Sequence, residues 1–511
     1  MLLAGPGTGK TTRVKEIIST DYAAADKILV LSFTNATVHD LTKAFEECAN
    51  VECSTLHKYA LKINHLRDRY ILDGRREDDI LQSLANSLDV DFSFLCERLG
   101  CITFDVMTAG CLAFLKANPA YASEQIGGLD LLIVDEYQDF NPTERALIDE
   151  IARHAADTVI LGDDDQSIYG FKDADPDGII QLFLNETVTK LDHGNMCWRC
   201  PDVVVDHAQK LIARNAHRVD KAWNPTGKPG AYVPVQTTTQ AEAISYAVSE
   251  IEKARAANPK TSVLVLSPMG FCVEGLVDAL NDREIASVDF WNSPVGDDEY
   301  FHVWWLRAIY TDRSVLNLLL LSRTLSAHYR KKLKGILSEA FKSGFDHVTV
   351  LLEIRDMYEE ALARYIGNPP TPAALAEQQS SFSEYIKRLD ENELGTSADR
   401  LLLELNPAKE FDSESVNIMS IHKSKGLQAE LVLILGLVDG VLPNDSRGTD
   451  TIEAQRRLLF VGVTRALSML HLVSWVRWED EVHKVDKSKF DYKYKQGCYY
   501  GQTSRFVVEM S

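Results

Sequence analysis

The stretch LLAGPGTGKTTRVKEI, residues 2–17, decides the fold class. Small residues from Ala4 to Gly9 let successive backbone N–H groups point inward, and Lys10 and Thr11 follow where a helical pattern begins. This order predicts a phosphate-binding loop that joins a buried strand to a helix. In such a loop Lys10 would reach the β- and γ-phosphates of a nucleotide, and the Thr11 hydroxyl would hold Mg²⁺.

A second acidic motif, LLIVDEYQD at residues 131–139, is the expected partner of this loop. An apolar strand that ends in Asp135 delivers a carboxylate beside the phosphates, where it would bind Mg²⁺ through water. Glu136 is then placed to orient and deprotonate an attacking water. Acidic residues often end strands, so this motif alone is a weak signal. Together with the phosphate loop it strongly indicates a nucleotide site.

Two series of apolar, β-branched runs alternate with helical patterns along the chain. Such runs are typical of central strands in parallel sheets, which are buried on both faces. The predicted strands are KILVLSF (27–33), DLLIVDE (130–136) and DTVILGD (157–163) in the first series, then SVLVLS (262–267), SVNIMSI (415–421), ELVLILG (430–436) and LHLVSW (470–475) in the second. We therefore predict an α/β fold with two domains in tandem. Each domain has a mostly helical insertion, within residues 63–120 and 300–408, and the second breaks at proline-rich residues 366–381.

Composition narrows the functional classes. The 511 residues carry a net charge of −21, which argues against coating nucleic acid by bulk attraction but leaves room for a local cleft that grips a strand. The absence of a long apolar run predicts no membrane span, and the immediate start of the loop predicts no signal peptide. Nine cysteines without framework spacing predict reduced, cytoplasmic thiols. Cys197 and Cys200 form a CxxC pair that lacks the second pair of a zinc site.

Beyond the loop, the chain resembles the superfamily 1 helicases of the UvrD/Rep/PcrA type. Eight segments carry the resemblance in the family's order: SFTNATVHDL (32–41), STLHKYA (54–60), VDEYQD (134–139), GDDDQSIYGFKDA (162–174), CWRCP (197–201), IHKSKGLQAE (421–430), RRLLFVGVTRA (456–466) and SRF (504–506). The resemblance implies RecA-like P-loop NTPase domains that bind ATP and Mg²⁺. The implied boundaries are 1–62 with 121–200 for the first domain, 201–305 with 409–511 for the second, and 63–120 and 306–408 for the insertions.

The resemblance assigns most nucleotide contacts. It implies that Gln166, Arg199 and Arg465 sense and stabilise the γ-phosphate, as arginines offered from a second domain do. Trp198 stands where the family has an adenine-stacking tyrosine, and Arg13 would cover the other face of the base. The full implied nucleotide set is Gly5, Pro6, Gly7, Thr8, Gly9, Lys10, Thr11, Thr12, Arg13, Trp198 and Gln428, with Thr11 and Asp135 holding the metal.

The resemblance also implies a surface for single-stranded DNA. Aromatic faces that stack on unpaired bases are typical of such surfaces. The implied DNA-binding residues are Phe33, Thr34, Asn35, His57, Tyr169, Phe171, Lys172 and His422. Lys172 stands where the family commonly has arginine, which keeps the charge but loses the planar fork.

Several departures from the family pattern bear on function. The family reads adenine partly through a glutamine motif upstream of the loop, and this chain has no residues there, so the choice between ATP and GTP stays open. Gln428 replaces a glutamate that contacts ribose, and Arg13 lies one residue later than the usual arginine. Both helical insertions are shorter than in large family members, which predicts translocation with poor unwinding.

We therefore predict a cytoplasmic ATP-dependent motor on single-stranded DNA, moving 3′→5′ as the resemblance implies. The alternative is a DNA-gated regulatory ATPase subunit of a nuclease or antiphage-defence complex, with a nuclease subunit as its protein partner. An RNA motor is a weaker alternative, because nothing in the sequence identifies a reader of the 2′-hydroxyl. The biological pathway, whether repair, replication or defence, stays open.

Overall fold

The protein is described here by a computed structural model. The described residues are 1–46, 48–63, 70–72, 74–191, 194–291, 319, 327–344, 346, 349–350, 352–354, 356–357, 409–445, 452–479, 491–493 and 498–511. The chain divides into two compact units. The first unit comprises Met1–Ile63, Cys111–Asn292 and Lys409–Ser511, and the second comprises Asn64–Gly110 and Ser293–Ala408.

Sixteen strands lie in the described part of the chain. In order they are β1 (Leu2–Leu3), β2 (Ile28–Ser32), β3 (Val51–Thr55), β4 (Tyr70–Ile71), β5 (Cys101–Ile102), β6 (Leu129–Val134), β7 (Ala155–Gly162), β8 (Ala231–Thr237), β9 (Val263–Ser267), β10 (Ser287–Asp289), β11 (Val416–Ser420), β12 (Ala429–Leu435), β13 (Ala466–Trp475), β14 (Arg477–Glu479), β15 (Asp491–Lys493) and β16 (Cys498–Tyr500).

Fifteen α-helices have bounds within the described residues. They are α1 (Lys10–Thr20), α2 (Asn35–Ala44), α3 (Leu56–Ile63), α4 (Gly74–Leu88), α5 (Phe92–Leu99), α6 (Phe104–Ala117), α7 (Pro119–Ile126), α8 (Pro142–Ala152), α9 (Asp177–Leu184), α10 (Asp202–Ile212), α11 (Gln240–Ala257), α12 (Leu276–Asn281), α13 (Ala327–Ser343), α14 (Ile452–Val463) and α15 (Arg505–Met510).

The first sheet brings the predicted nucleotide motifs to one edge. Its strand order is β1-β7-β6-β2-β3, and every neighbouring pair is parallel. Because the carboxyl ends of parallel strands meet at the same edge, the segments that follow them converge there. The phosphate loop follows β1, Asp135 follows β6, Asp163 follows β7 and Phe33 follows β2.

The second sheet lies in the same unit and is also parallel throughout, in the order β10-β11-β9-β12-β13-β8. Alternate side chains of its central strands enter two different apolar clusters, as Leu264 and Val265 show on β9. Both faces of this sheet are therefore buried, which explains its unbroken apolar runs. A small antiparallel sheet, in the order β14-β16-β15, follows it.

The predicted α/β class with two parallel sheets is confirmed, as expected of tandem RecA-like domains. Among the strands of these two sheets, the prediction missed β3, β8 and the three-residue β10. The first has the sequence VECST, whose polar residues hide an ordinary strand. The second is an edge strand that pairs only with β13 and contains Pro234, a residue that edge positions tolerate because it has no N–H to donate.

The described part of the second unit is mainly helical. It contains α4, α5, α13 and a short parallel pair, β4 with β5, and its apolar cluster includes Leu81, Leu95, Leu333 and Leu337. The predicted domain boundaries remain a prediction, and residues 366–381 lie outside the described residues. No helix of the described chain is long and apolar enough to cross a membrane.

The central strand β12 offers a test of the described core. Leu433 is fully buried between β9 and β13. Leu433→Ala is expected to lower the free energy of unfolding by about 2–5 kcal/mol, because the apolar contact is lost and a cavity remains. Urea denaturation measures the change.

Leu184→Ala is the matched control, because the same change is made at a leucine that is 62% exposed. It is expected to shift stability by less than about 0.5 kcal/mol. Equal shifts in the two variants would contradict the assignment of β12 to a buried central position.

Candidate nucleotide-binding and nucleic-acid site

The phosphate loop runs from Ala4 to Gly9 between β1 and α1. The ammonium of Lys10 donates hydrogen bonds to the backbone oxygens of Ala4 at 2.9 Å and Gly5 at 3.2 Å. The Thr8 hydroxyl also donates to the Gly5 oxygen, at 2.9 Å. The loop is thus curled around the lysine, at the positive end of the α1 dipole, and phosphate oxygens are stronger acceptors than these carbonyls.

Two glycines of the loop are required by their surroundings. Gly7 has φ of +71°, and a Cβ there would lie 2.5 Å from the Cβ of Arg199. A Cβ on Gly5 would lie 2.7 Å from the indole ring of Trp223. The loop is therefore packed against two later segments of the chain, and only glycine fits at these positions.

Trp198 and Arg199 come from the CWRCP segment and sit beside the loop. The Trp198 backbone N–H donates to the oxygen of Gly7 at 2.9 Å. The Trp198 side chain is 68% exposed, and the Arg13 guanidinium pairs with Glu16 at 2.6 Å. The backbone contact places the segment at the loop, whereas stacking of the base between Trp198 and Arg13 remains a prediction.

Asp135 and Glu136 follow β6 directly. The Glu136 backbone N–H donates to Asp135 Oδ1 at 2.9 Å, and the Gln138 side chain donates to Glu136 Oε2 at 2.6 Å. Burial, and then the negative charge of Glu136, raise the pKa of Asp135 to about 7. Burial also acts to raise the pKa of Glu136, but Lys425 and Lys10 outweigh it and hold that pKa below its ordinary value.

The residues predicted to hold Mg²⁺ fit the ion. Thr11 presents an exposed hydroxyl at the start of α1, and Asp135 supplies a carboxylate, which are the hard oxygen ligands that Mg²⁺ prefers. Asp135 is buried next to the carboxylate of Glu136, so a divalent cation bound there would offset negative charge. Among the other predicted contacts, Thr12 and Gln428 have exposed side chains.

Lys425 connects the second sheet to the acidic edge of the first. Its ammonium donates to the carboxylate of Asp139 and, at 2.8 Å, to the backbone oxygen of Gln166. It also lies 3.8 Å from Glu136 Oε2. Burial lowers the pKa of Lys425, yet Asp139 and Glu136 raise it overall, so the lysine is charged at neutral pH.

Arg465 lies at the amino end of β13 and reaches Gln166, which follows β7. Its Nη2 donates to the side-chain oxygen of Gln166 at 3.2 Å, and both side chains are buried. Burial, and then the nearby charge of Arg199, lower the pKa of Arg465 to about 9. The structure thus brings together the predicted γ-phosphate residues Gln166, Arg199 and Arg465, and Arg465 still carries a charge at neutral pH.

Four rings form a continuous aromatic strip, which we define as Phe33, Tyr169, Phe171 and His422. Neighbouring ring centroids lie 4.9, 5.8 and 5.5 Å apart in that order. The ammonium of Lys172 lies 5.4 Å from the Phe33 ring centroid and 5.9 Å from that of Tyr169. Phe171 is 43% exposed, and a cation beside exposed rings suits both the bases and the phosphates of a single strand.

The other residues predicted to bind DNA, Thr34, Asn35 and His57, are not part of the aromatic strip. Thr34 caps α2, because its hydroxyl accepts from the Thr37 backbone N–H at 3.2 Å. The His57 ring pairs with Glu144 Oε1 at 2.9 Å, and Glu144 is buried in a capping box with Asn141. Both residues therefore have structural partners, and their contact with DNA remains a prediction. The side chain of Asn35 lies outside the described residues.

The sequence analysis did not identify Trp223 as a residue that contacts the phosphate loop. Its indole N–H donates to the backbone oxygen of Pro6 at 2.9 Å, and the ring is buried. A buried tryptophan needs a partner for its N–H, and the loop supplies it. The signal in the sequence was an isolated tryptophan in a polar stretch, which does not reveal a partner more than 200 positions away.

Comparisons with known proteins agree with this geometry. A family model described as an AAA domain matches residues 1–172, and one described as a UvrD-like helicase C-terminal domain matches residues 373–477. The chain is 22% identical to the ATP-dependent DNA helicase Rep of Buchnera aphidicola, over 92% of this chain and 91% of that protein. It is 21% identical to the ATP-dependent DNA helicase PcrA of Leuconostoc citreum, over 93% and 79%.

A third relative, DNA helicase II of Rickettsia typhi, is 22% identical over all of this chain and 93% of its own length. The matches span both parallel sheets. Together these comparisons support a superfamily 1 helicase of the UvrD/Rep/PcrA type, an ATP-hydrolysing DNA helicase.

Proposed function

We propose that this protein is a motor that hydrolyses ATP to move 3′→5′ along single-stranded DNA. The observation that carries the proposal is the hydrogen bond between Arg465, beside the second sheet, and Gln166, beside the first. Gln166 begins the short segment that continues to Tyr169 and Phe171 in the aromatic strip. One segment thus connects the nucleotide residues to the DNA surface.

Hydrolysis of ATP gives a role to Lys10 and Thr11 after the phosphate loop and to Asp135 and Glu136 after β6. Lys10 exchanges its carbonyl partners for the β- and γ-phosphates, and Thr11 and Asp135 would hold Mg²⁺. When bound, the ion offsets phosphate charge. Glu136, which Lys425 and Lys10 keep ionised, accepts a proton from the attacking water.

Three groups act on the γ-phosphate. Gln166 offers its amide, and Arg199 and Arg465 offer guanidinium groups that stabilise the charge developing in the transition state. The buried position of Arg465 strengthens its interaction with phosphate, because charges interact more strongly away from water. Hydrolysis removes the group that these residues hold, which lets the two sheets separate and close again.

The aromatic strip is the proposed track for DNA. Bases stack on Phe33, Tyr169 and Phe171, while Lys172 neutralises a phosphate. The net charge of −21 makes such local contacts necessary, because the surface as a whole repels nucleic acid. We also propose the domain boundaries 1–62 with 121–200 and 201–305 with 409–511, so that ATP lies between the two RecA-like domains.

ATP turnover tests the proposed function directly. We expect single-stranded DNA to stimulate turnover more than duplex DNA or single-stranded RNA does, with ATP preferred over GTP. Lys10→Ala is expected to abolish turnover, because the loop loses the cation that holds the phosphates. A coupled phosphate-release assay measures both effects.

Lys15→Ala is the control, since Lys15 is an exposed lysine on the same helix α1. Direction is read from oligonucleotides that carry a fluorophore at either end, and the signal is expected to arise at the 5′ end. Unchanged turnover in Lys10→Ala would overturn the site. Turnover that no nucleic acid stimulates would overturn the motor and favour a subunit gated by another protein.

A substitution in the strip tests the DNA surface. Phe171→Ala is expected to raise the single-stranded DNA concentration for half-maximal stimulation about 5- to 150-fold, because one stacked base is worth about 1–3 kcal/mol. Phe94→Ala, at a phenylalanine that is 39% exposed in the second unit, is the control. An equal shift in both variants, or none in Phe171→Ala, would contradict the assignment of the strip.

A further inference from the structure

The loop after α10 contains a segment, RVDKAW at residues 218–223, that contacts the nucleotide site at several points. The Arg218 guanidinium donates to both carboxylate oxygens of Asp165, at 2.9 and 2.8 Å. The Val219 backbone N–H donates to Asp164 at 2.8 Å. With the contact from Trp223 to Pro6, the segment therefore bridges the phosphate loop and the acidic turn after β7.

Lys221 lies at the centre of these contacts. The carboxylates of Asp163, Asp164 and Asp165 are all buried and lie within 4.8 Å of one another. The Lys221 ammonium is 2.9 Å from Asp163 Oδ1, 2.6 Å from Asp164 Oδ1 and 2.6 Å from Asp165 Oδ2. Burial acts to lower the pKa of Lys221, but the three aspartates raise it overall, so the cation persists among them.

Asp163 connects Lys221 to Gln166, because its carboxylate contacts both side chains. While Asp163 Oδ1 faces Lys221, its Oδ2 accepts a hydrogen bond from Gln166 Nε2 at 2.7 Å. The other end of the same amide, Oε1, accepts from Arg465 at 3.2 Å. The Gln166 amide is thus fixed at both ends, with its NH₂ group toward Asp163 and its oxygen toward Arg465.

From this geometry we infer that Lys221 is a positioning residue for ATP hydrolysis, which orients the Gln166 amide through Asp163. The inference rests on the proposed function, because it assigns Gln166 to the γ-phosphate. It adds a residue outside the eight segments that carry the family resemblance. Of the three carboxylates that Lys221 contacts, Asp163 is the one that also accepts a hydrogen bond from the Gln166 side chain, so the effect of Lys221 on Gln166 passes through Asp163.

Loss of Lys221 is expected to affect kcat for ATP hydrolysis and not KM. Without Lys221, Asp163 loses the ammonium that lies 2.9 Å from its Oδ1, so the carboxylate that holds the Gln166 NH₂ group is less well fixed. Lys10 and the phosphate loop are unchanged, so binding of ATP is preserved. The loss is therefore expected in kcat, because Gln166 acts on the γ-phosphate in the transition state, and not in KM.

The experiment measures DNA-stimulated ATP turnover by the full chain with Lys221→Met, alone and in a Gln166→Ala background. We expect Lys221→Met to lower kcat about tenfold or more while KM for ATP stays within about threefold. In the Gln166→Ala background, the further effect of Lys221→Met is expected to fall below about twofold, since the two residues act as one unit. Lys221→Arg, which keeps the charge, is expected to recover much of kcat.

Lys253→Met is the matched control, because Lys253 is an exposed lysine that pairs with Glu250 on α11. Lys221→Met leaves three buried carboxylates without this cation, which is strongly destabilising, whereas Asp163→Asn leaves Lys221 paired with Asp164 and Asp165. Asp163→Asn therefore serves where Lys221→Met does not fold. It keeps the side-chain size and removes the charge that Lys221 acts through. Its kcat is expected to fall to a similar extent, and again without further effect in the Gln166→Ala background.

The outcomes separate the inference from the proposed function. An unchanged kcat, a defect confined to KM, or effects of Lys221 and Gln166 that multiply independently would overturn the positioning role while ATP hydrolysis stands. A wild-type chain that does not hydrolyse ATP, or a Lys10→Ala variant that hydrolyses it normally, would overturn both.

Discussion

Buried negative charge is the constraint on which this structure depends. Six carboxyl groups follow the two central strands β6 and β7 and are buried or half-buried: Asp135, Glu136, Asp139, Asp163, Asp164 and Asp165. A buried carboxylate without a cation costs several kcal/mol, so each group needs a compensating charge. The cations come from three other parts of the chain: Lys10 on the phosphate loop, Lys425 and Arg465 beside the second sheet, and Lys221 with Arg218 after α10.

At this edge, charged side chains connect the two sheets. The second sheet meets the first through Lys425 and Arg465 at the edge where the proposed nucleotide binds. Polar contacts of this kind have alternative partners, since phosphate oxygens accept stronger, charge-assisted hydrogen bonds. Under the proposed function, Lys10 and Arg465 turn to phosphate oxygens when the nucleotide binds, and this exchange of partners changes how the sheets close. Two residues of the aromatic strip, Tyr169 and Phe171, lie in the segment that begins at Gln166. The proposed function therefore makes the strip respond to the nucleotide.

Much of the fold and the core of the site could be predicted from the sequence. Apolar runs revealed most central strands, and the ends of those strands placed Lys10, Asp135 and Glu136, because parallel strands bring their carboxyl ends together. The edge strand β8 escaped detection, because it is half exposed and interrupted by Pro234. The contacts among the rings of the aromatic strip also could not be predicted, because Phe33 follows β2 of the first sheet and His422 follows β11 of the second.

Long-range polar contacts were the main gap. Lys221 lies between 56 and 58 positions from the aspartates that it neutralises, in a loop without helical or strand periodicity. A lysine in such a loop usually indicates a solvated surface, and only the folded chain shows it among three carboxylates. The pairing of His57 with Glu144 is similar, because the sequence could not show that this histidine, which the family resemblance assigns to DNA, has a buried partner 87 positions away.

The central claim is that ATP is hydrolysed between the two sheets, with Arg465 acting across them. Single-turnover hydrolysis by Arg465→Ala, measured together with nucleotide binding, tests it most directly. The account predicts that the rate of hydrolysis falls about 10³- to 10⁵-fold while ATP binding changes little, because the arginine acts on transition-state charge. Hydrolysis at an unchanged rate would show that the second sheet does not take part in the chemistry, and would contradict the account.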